Sequence, residues 1–297
     1  MKIIINTLSA ILILLTGSPA GYADSASKTG EATDLLVVGS FNIHYTTPGQ
    51  KKMIWEQRRE AVLAALRRGD ADIIGFQEME TFVGGHWNDE NEQLDWVLSH
   101  LPEYGVTAVG DPRSYPSTQP VLYRKSRFRA LDQGFFFFSP HPDRIYSRPW
   151  KGRFPAFSSW ARLEDRETGN SFYLYNVHFD HSSLQNRLNS ARLVAERIAA
   201  REHPGDGVIV LGDFNAPRFF PPVRILAEAG LTVAETRGST FHFNRGITLQ
   251  PAIDHVLYTE AFAHRSTRVL RERFKGRWPS DHFPLFVTLA IQSGGGK

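Results

Sequence analysis

The sequence predicts an α+β domain in which a two-sheet core is covered by helices. Three observations carry this reading. Apolar runs of strand length recur along the whole chain, two intervening stretches repeat at helical spacing, and no Pro/Gly/Ser-rich linker interrupts the chain after Leu35. With 297 residues, of which 41% are hydrophobic and 12% aromatic, there is enough apolar surface for a substantial core. One domain is therefore expected over 34–292, preceded by a small, polar, flexible leader over 24–33 and followed by a loose tail over 293–297.

Taken in order, "LLVVGSFNIHY" (35–45) and "ADIIGFQE" (71–78) read as strands. The stretch from Ile54 to Arg68 between them reads as a helix, because Ala61, Val62, Ala65 and Leu66 form one stripe. "SFYLYNVHFD" (171–180) and "GVIVLGDFN" (207–215) are again strands, flanking a helix from Leu184 to Arg201 whose buried face is Ala191, Val194, Ala195, Ile198 and Ala199. "PVLYRKS", "GFFFFS", "SSWARLE", "AIDHVLY" and "HFPLFVTLAI" supply further strands. The four phenylalanines Phe135 to Phe138 read as a strand buried on both faces in preference to a membrane-touching tip.

The amino-terminal segment joins Lys2 to an apolar run from Ile3 to Leu15, then to the small residues Ser18, Ala20, Gly21 and Ala23. This is the pattern of a secretory signal peptide over 1–23, cut after Ala20 or Ala23, and it implies a secreted or periplasmic protein. The run is short for a span of about 20 apolar residues, so no membrane span is expected once it is removed. There is no cysteine, which excludes disulfides and thiol chemistry. The charges nearly balance, 34 Lys and Arg against 31 Asp and Glu, so total charge argues little for a polyanionic partner.

Several apolar runs end on polar groups. Asn42, Gln77 with Glu78, His178 with Asp180, Asp213 with Asn215, and Asp281 with His282 all stand where a core strand runs out. A buried carboxylate costs several kcal/mol unless paired or metal-bound, so five such endings point to a shared site more readily than to five separate turns. An echo supports this: Asn42-Ile43-His44 opens a strand-helix-strand passage ending on Glu78, and Asn176-Val177-His178 opens another ending on Asp213. Two such halves are expected to bring an Asn, a His and a carboxylate each to one rim. Hard oxygen ligands such as Glu78, the Asn42 carbonyl and Asp281 suit Mg²⁺ or Mn²⁺, and no H-E-x-x-H or C-x-x-C zinc pattern is present. A divalent ion surrounded by amides and imidazoles is a set suited to hydrolysing a phosphate ester.

"SFNIHY", "IIGFQEME", "YNVHFDH", "VIVLGDFNA", "PAIDHVLY" and "WPSDHFPLFVTL" occur in the order typical of the endonuclease/exonuclease/phosphatase superfamily, and the chain resembles it from about Gly39 to Leu289. The resemblance implies a four-layer αββα sandwich, two mixed β-sheets packed face to face with helices outside. It also implies that Glu78 binds the divalent metal with Asn42 beside it and Asp281 next to it. Asp213 would orient or deprotonate the attacking water, and Asn215 would bond the phosphate and the water. His178 would donate to the phosphate or leaving group, while His282 would contact the phosphate with its ring aligned by Asp254. Whether Asp213 or His282 takes the proton is left open.

Around this set, Asp180, His181 and Arg187 are candidate substrate contacts, with a turn acceptor, simple packing and an exposed helical Arg as their ordinary readings. His86 and Trp87 follow Glu78 closely and are candidates to line the cleft. His44 is expected to support the site without ligating, and His255 to pack. The substrate is a phosphate ester. Nucleic acid is the first candidate because of the arginines between Arg265 and Arg277, with a sugar phosphate, nucleotide or lipid head group as alternatives. A noncatalytic binder is disfavoured, since binding has no need of the full set of acids, amides and imidazoles. A monomer is expected.

Overall fold

Strands buried on both faces need apolar residues at every position, and β1 (Leu35–Asn42), β2 (Ile73–Gln77), β7 (Ser171–His178) and β8 (Gly207–Asp213) come close to that pattern. In β8, Ile209 and Leu211 point into a core between two sheets, while Val208 and Val210 point to helices on the outside. The computed structural model describes residues 35–47, 49–79, 91–152 and 154–292. The expected signal peptide, leader and tail, together with His86 and Trp87, lie outside the described residues.

The remaining strands are β3 (Tyr104–Thr107), β4 (Val121–Arg124), β5 (Phe128–Phe137), β6 (Phe157–Asp165), β9 (Thr232–Val233), β10 (Asp254–Tyr258), β11 (Phe262–Val269) and β12 (Leu285–Ile291). The helices are α1 (Trp55–Gly69), α2 (Glu92–His100), α3 (Leu184–Ala199) and α4 (Pro221–Glu228). The first six-stranded sheet runs β11-β12-β1-β2-β4-β3 and the second β5-β6-β7-β8-β10-β9. Both sheets are mixed. Place by place they repeat one another: each has one parallel pair, β1 with β2 and β7 with β8, among antiparallel neighbours.

Leu36, Val38, Leu174, Ile209 and Val287 pack between the sheets. Trp55, Val62 and Leu66 of α1, with Leu94 and Val97 of α2, cover the outer face of the first sheet. Val194 and Ile198 of α3, with Val223 and Leu226 of α4, cover the second. The result is the four-layer αββα sandwich. The stripe expected on α1 is buried throughout, whereas on α3 the exposed Ala199 gives its place to Leu193. Phe136, Phe137 and Phe138 are buried, as a core strand end requires.

The sheets are joined through polar groups near one end of the core. Asn176 Nδ2 donates to the Phe76 carbonyl (2.8 Å) and the Gln119 carbonyl (3.2 Å), and its Oδ1 accepts from Gln77 Nε2 (2.7 Å). This corrects the expected echo. Asn176 pairs with Leu211, two residues inside the rim, so it bridges the sheets; His178, opposite Asp213, takes the rim place that Asn42 holds opposite Gln77. Gly212 makes the close approach of β8 to β7 possible. A Cβ there would stand 1.9 Å from the Val177 carbonyl oxygen, at a φ of +144°.

Candidate active site

The rim formed by the ends of β1, β2, β7 and β8 collects the polar residues. Asn42, the last residue of β1, donates from Nδ2 to Glu78 Oε1 (3.1 Å) and Asp213 Oδ2 (3.2 Å), while its Oδ1 accepts the His44 N–H (3.1 Å). One amide thus ties together carboxylates delivered by different sheets. His178, at the end of β7, places Nε2 3.8 Å from Glu78 Oε1 and 3.7 Å from Asp213 Oδ2. His282, just ahead of β12, donates from Nδ1 to Asp254 Oδ2 at 2.9 Å, and its Nε2 lies 3.6 Å from Asp213 Oδ2. Asp254 opens β10 directly opposite Asp213 in the ladder, which is why both carboxylates reach the same imidazole.

Three rim residues hold strained backbone. His44, Glu78 and Asn215 all hold positive φ values, 63°, 56° and 46°. Each costs about 1–3 kcal/mol in a residue with a side chain, and the fold sustains it where the chain leaves a strand and must turn its side chain onto the rim.

The electrostatics follow from burial. Glu78 is held well below the usual carboxylate range: burial works against this, but hydrogen bonds from His44 and Asn42 and the nearby His178 outweigh it. Burial, reinforced by the neighbouring Asp254, raises Asp213 to about 6. Burial opposes charge on His282, yet Asp254 and Asp213 overcome it and hold the ring as imidazolium, with its pKa pushed up to about 10.

Some expected residues also make bonds that hold the turn into α3. Asp180 lines the cleft but is spent as a turn acceptor: Oδ1 takes the N–H groups of Ser182 (2.7 Å) and Ser183 (3.0 Å), and Oδ2 takes Asn186 Nδ2 (2.6 Å). Arg187 closes the same turn, donating from Nη1 to the carbonyls of Asp180 (2.7 Å) and His181 (3.0 Å), so those bonds go to backbone. Both were candidates for substrate contact, and a short loop entering α3 needs these partners first. His181 is exposed on the cleft wall. Asn215 donates from Nδ2 to the Phe179 carbonyl (2.8 Å), and its own N–H bonds Asp213 Oδ1 (2.8 Å). His255 packs beneath the rim, with Nε2 2.8 Å from the Ala216 carbonyl.

His44 supports the site as its sequence position implies, while two further contributors, Arg58 and Phe241, have no sequence signal. His44 stands with Nδ1 3.4 Å from Glu78 Oε2 and 3.8 Å from Asp281 Oδ1. Arg58, buried in α1, donates to the carbonyls of Ile43, His44 and Pro279 and so fixes the exit of β1 against the loop carrying Asp281. The Phe241 ring lies 4.8 Å from the His282 ring, through a β-bridge between the two residues. The arginines of the basic run are largely engaged elsewhere: Arg268 donates to the Gly69 carbonyl, Arg271 to the Ser239 carbonyl, Arg277 to Gln57, and Arg273 lies over Trp278.

Residues 39–282 match the Endonuclease/Exonuclease/phosphatase family over a stretch running from β1 to His282. The chain belongs to this family. Among solved structures it is similar to an endonuclease/exonuclease/phosphatase family protein from Bacteroides thetaiotaomicron, with 25% identity and a TM-score of 0.76 over 87% of this chain and 98% of that one. It is also similar to a mannosyl-6-phosphatase from Bacteroides thetaiotaomicron, with 26% identity and a TM-score of 0.75 over 86% of this chain and all 100% of the other. A curated relative is the Ccr4 exoribonuclease subunit of the CCR4-Not complex from Neosartorya fischeri, 28% identical over 178 residues. That match takes in 52% of this chain but only 23% of the relative's length. Family membership makes the rim of this endonuclease/exonuclease/phosphatase protein the place to expect phosphate-ester hydrolysis.

The residues fit the divalent ion typical of the family. Glu78, Asp213, Asp254 and Asp281 converge around amides and imidazoles, and Asp254 Oδ1 is buried without a partner among the described residues. One oxygen or nitrogen each from Asp213, Asp254 and His282 lie within 4.8 Å of one another. Glu78 offers the more open position: its side chain faces the cleft, whereas Asp254 Oδ2 is already committed to His282. Among the described residues no helix is long and apolar enough to cross a membrane.

Proposed function

We propose that the chain is an exported, Mg²⁺- or Mn²⁺-dependent phosphoesterase. The observation that carries the reading is the convergence of Glu78, Asp213 and His282 with Asn42 and His178 on one rim. Glu78, with Asn42 beside it and Asp281 next to it, would hold the ion, which supplies positive charge for a phosphoryl oxygen. Every other task falls to the chain. Asp213, buried and fixed by the Asn42 amide and the Asn215 N–H, aims the water and accepts its proton at Oδ2. His282, kept protonated by Asp254, donates from Nε2 to the phosphoryl group, and His178 donates to the phosphate or the leaving oxygen. Asn215 retains an amide N–H and its Oδ1 for phosphate and water, since Phe179 uses one N–H only.

A nuclease is supported by the match to an exoribonuclease, but the arginines that favoured it are mostly tied to the protein's own backbone and rings. The full-length similarity to a mannosyl-6-phosphatase supports a small phosphate ester as substrate instead. The test is a panel of DNA, RNA, bis-p-nitrophenyl phosphate, sugar phosphates and phospholipids with Mg²⁺ or Mn²⁺. Hydrolysis of at least one ester that disappears on chelation supports the reading; no hydrolysis anywhere favours a noncatalytic binder. Export is supported by the composition of the first 23 residues, and sequencing the amino terminus of the mature protein tests it.

A further inference from the structure

A cleft of about 490 Å³ opens beside the rim and shares Glu78 and His178 with it. Its size is ordinary for a small-molecule site. Its walls are what set it apart from a nucleic-acid groove. The body is apolar and aromatic, built from Tyr45, Pro116, Tyr146, Phe154, Pro155 and Phe157. None of the described lining residues is Lys or Arg, and two, Glu78 and Asp180, are acids. A polynucleotide entering here would bring neighbouring phosphates to a wall whose described residues include no Lys or Arg, whereas binding along a strand depends on neutralising them.

Two features point to an uncharged ring. Phe154 lines the cleft and is 80% exposed, so its ring is open for a ligand ring to pack on. Gln119 on the same lining is 2% exposed and backs the wall, donating from Nε2 to the Phe157 carbonyl (3.0 Å), so beside the acids and histidines of the lining the polar groups that face the cleft are hydroxyls. Thr118 and Ser182 add hydroxyls to the lining.

We infer that this cleft holds the organic half of the substrate, a single phosphate ester on an uncharged, hydroxyl-bearing ring packed against Phe154. The inference rests on the phosphoesterase reading and narrows it. It places the ring on the Glu78 and His178 side of the phosphorus and makes Phe154 a specificity residue that takes no part in bond breaking.

The test compares Mn²⁺-loaded wild type and Phe154→Ala on glucose 6-phosphate, adenosine monophosphate, methyl phosphate and a short oligothymidylate. Because Phe154 is exposed, the substitution leaves the core intact. The ring monoesters should be turned over faster than the oligothymidylate. In the variant, kcat/KM for the better ring ester relative to methyl phosphate should fall at least about tenfold, chiefly through KM. Which ring ester is favoured separates a sugar from a nucleoside as the source. Preference for oligothymidylate, or an unchanged ratio in Phe154→Ala, overturns the inference. Calorimetric binding of the same monoesters separates the two ideas: binding that weakens in the variant without any turnover keeps the cleft assignment and sinks the phosphoesterase reading, and turnover with binding indifferent to Phe154 does the reverse.

Discussion

His282 Nδ1 lies 2.9 Å from Asp254 Oδ2, and both side chains are buried. The pair spans two sheets, since Asp254 opens β10 in the second and His282 precedes β12 of the first. An imidazole held in this way has its ring plane and proton fixed before any substrate arrives, so the donor at Nε2 is already aimed.

Asp254→Asn keeps the shape but removes the charge that holds His282 protonated. Turnover of the best substrate should fall about 100- to 10,000-fold, in kcat more than in KM. Steady-state kinetics, with a thermal melt confirming the fold, check it; a loss confined to KM would mean that Asp254 only shapes the site.

Asn176→Ala removes three hydrogen bonds between the sheets and leaves Gln77 Nε2 and the Phe76 and Gln119 carbonyls without this partner. The expected loss is about 2–4 kcal/mol of stability, read from denaturant unfolding. A loss under about 0.5 kcal/mol would show that the bridge is replaceable by neighbours or water.

Acid should weaken the fold through His255. Burial lowers its pKa from 6.5 to about 4, so between these values the unfolded chain binds more protons than the folded one. This contribution is fully present above about pH 6.5 and is lost as pH falls through the window, up to about 3 kcal/mol in all. Melting temperatures from pH 7 to 4 should fall more steeply for wild type than for His255→Gln, which keeps a donor for the Ala216 carbonyl but does not titrate in this range.

Much of this architecture is legible in the residue patterns. The runs ending on Asn42, Glu78, His178 and Asp213 read as strands delivering polar groups to one place, because a charge at the end of a core strand is tolerated only where partners or a metal meet it, whereas Asp281 and His282 reach the same place from the loop leading into β12. The short strands β3 and β9 and the helices α2 and α4 leave no clear trace, since pieces of two to nine residues carry little periodicity. Asn176 is misplaced by sequence because a motif repeat gives spacing along the chain but not ladder register; a two-residue offset moves it from the rim into the core. Asp180 and Arg187 stand beside matched positions, and the turn into α3 engages the Asp180 carboxylate and the Arg187 Nη1 group. Arg58 is invisible because a buried guanidinium on a helix looks in sequence like any exposed arginine; only carbonyls arriving from Ile43, His44 and Pro279 give it a role. Phe154 carries no local pattern at all, and its position becomes informative only beside the cleft.

In the proposed mechanism one rim of the sandwich hydrolyses phosphate esters, with Asp213 as the group that handles the water. The most direct test is hydrolysis of bis-p-nitrophenyl phosphate and glucose 6-phosphate by wild type and Asp213→Asn, each with saturating Mn²⁺ and with chelator. Metal-dependent turnover by wild type that drops at least about 100-fold in Asp213→Asn, with the melt unchanged or raised, is the expected result. Turnover that survives the substitution undiminished would contradict it.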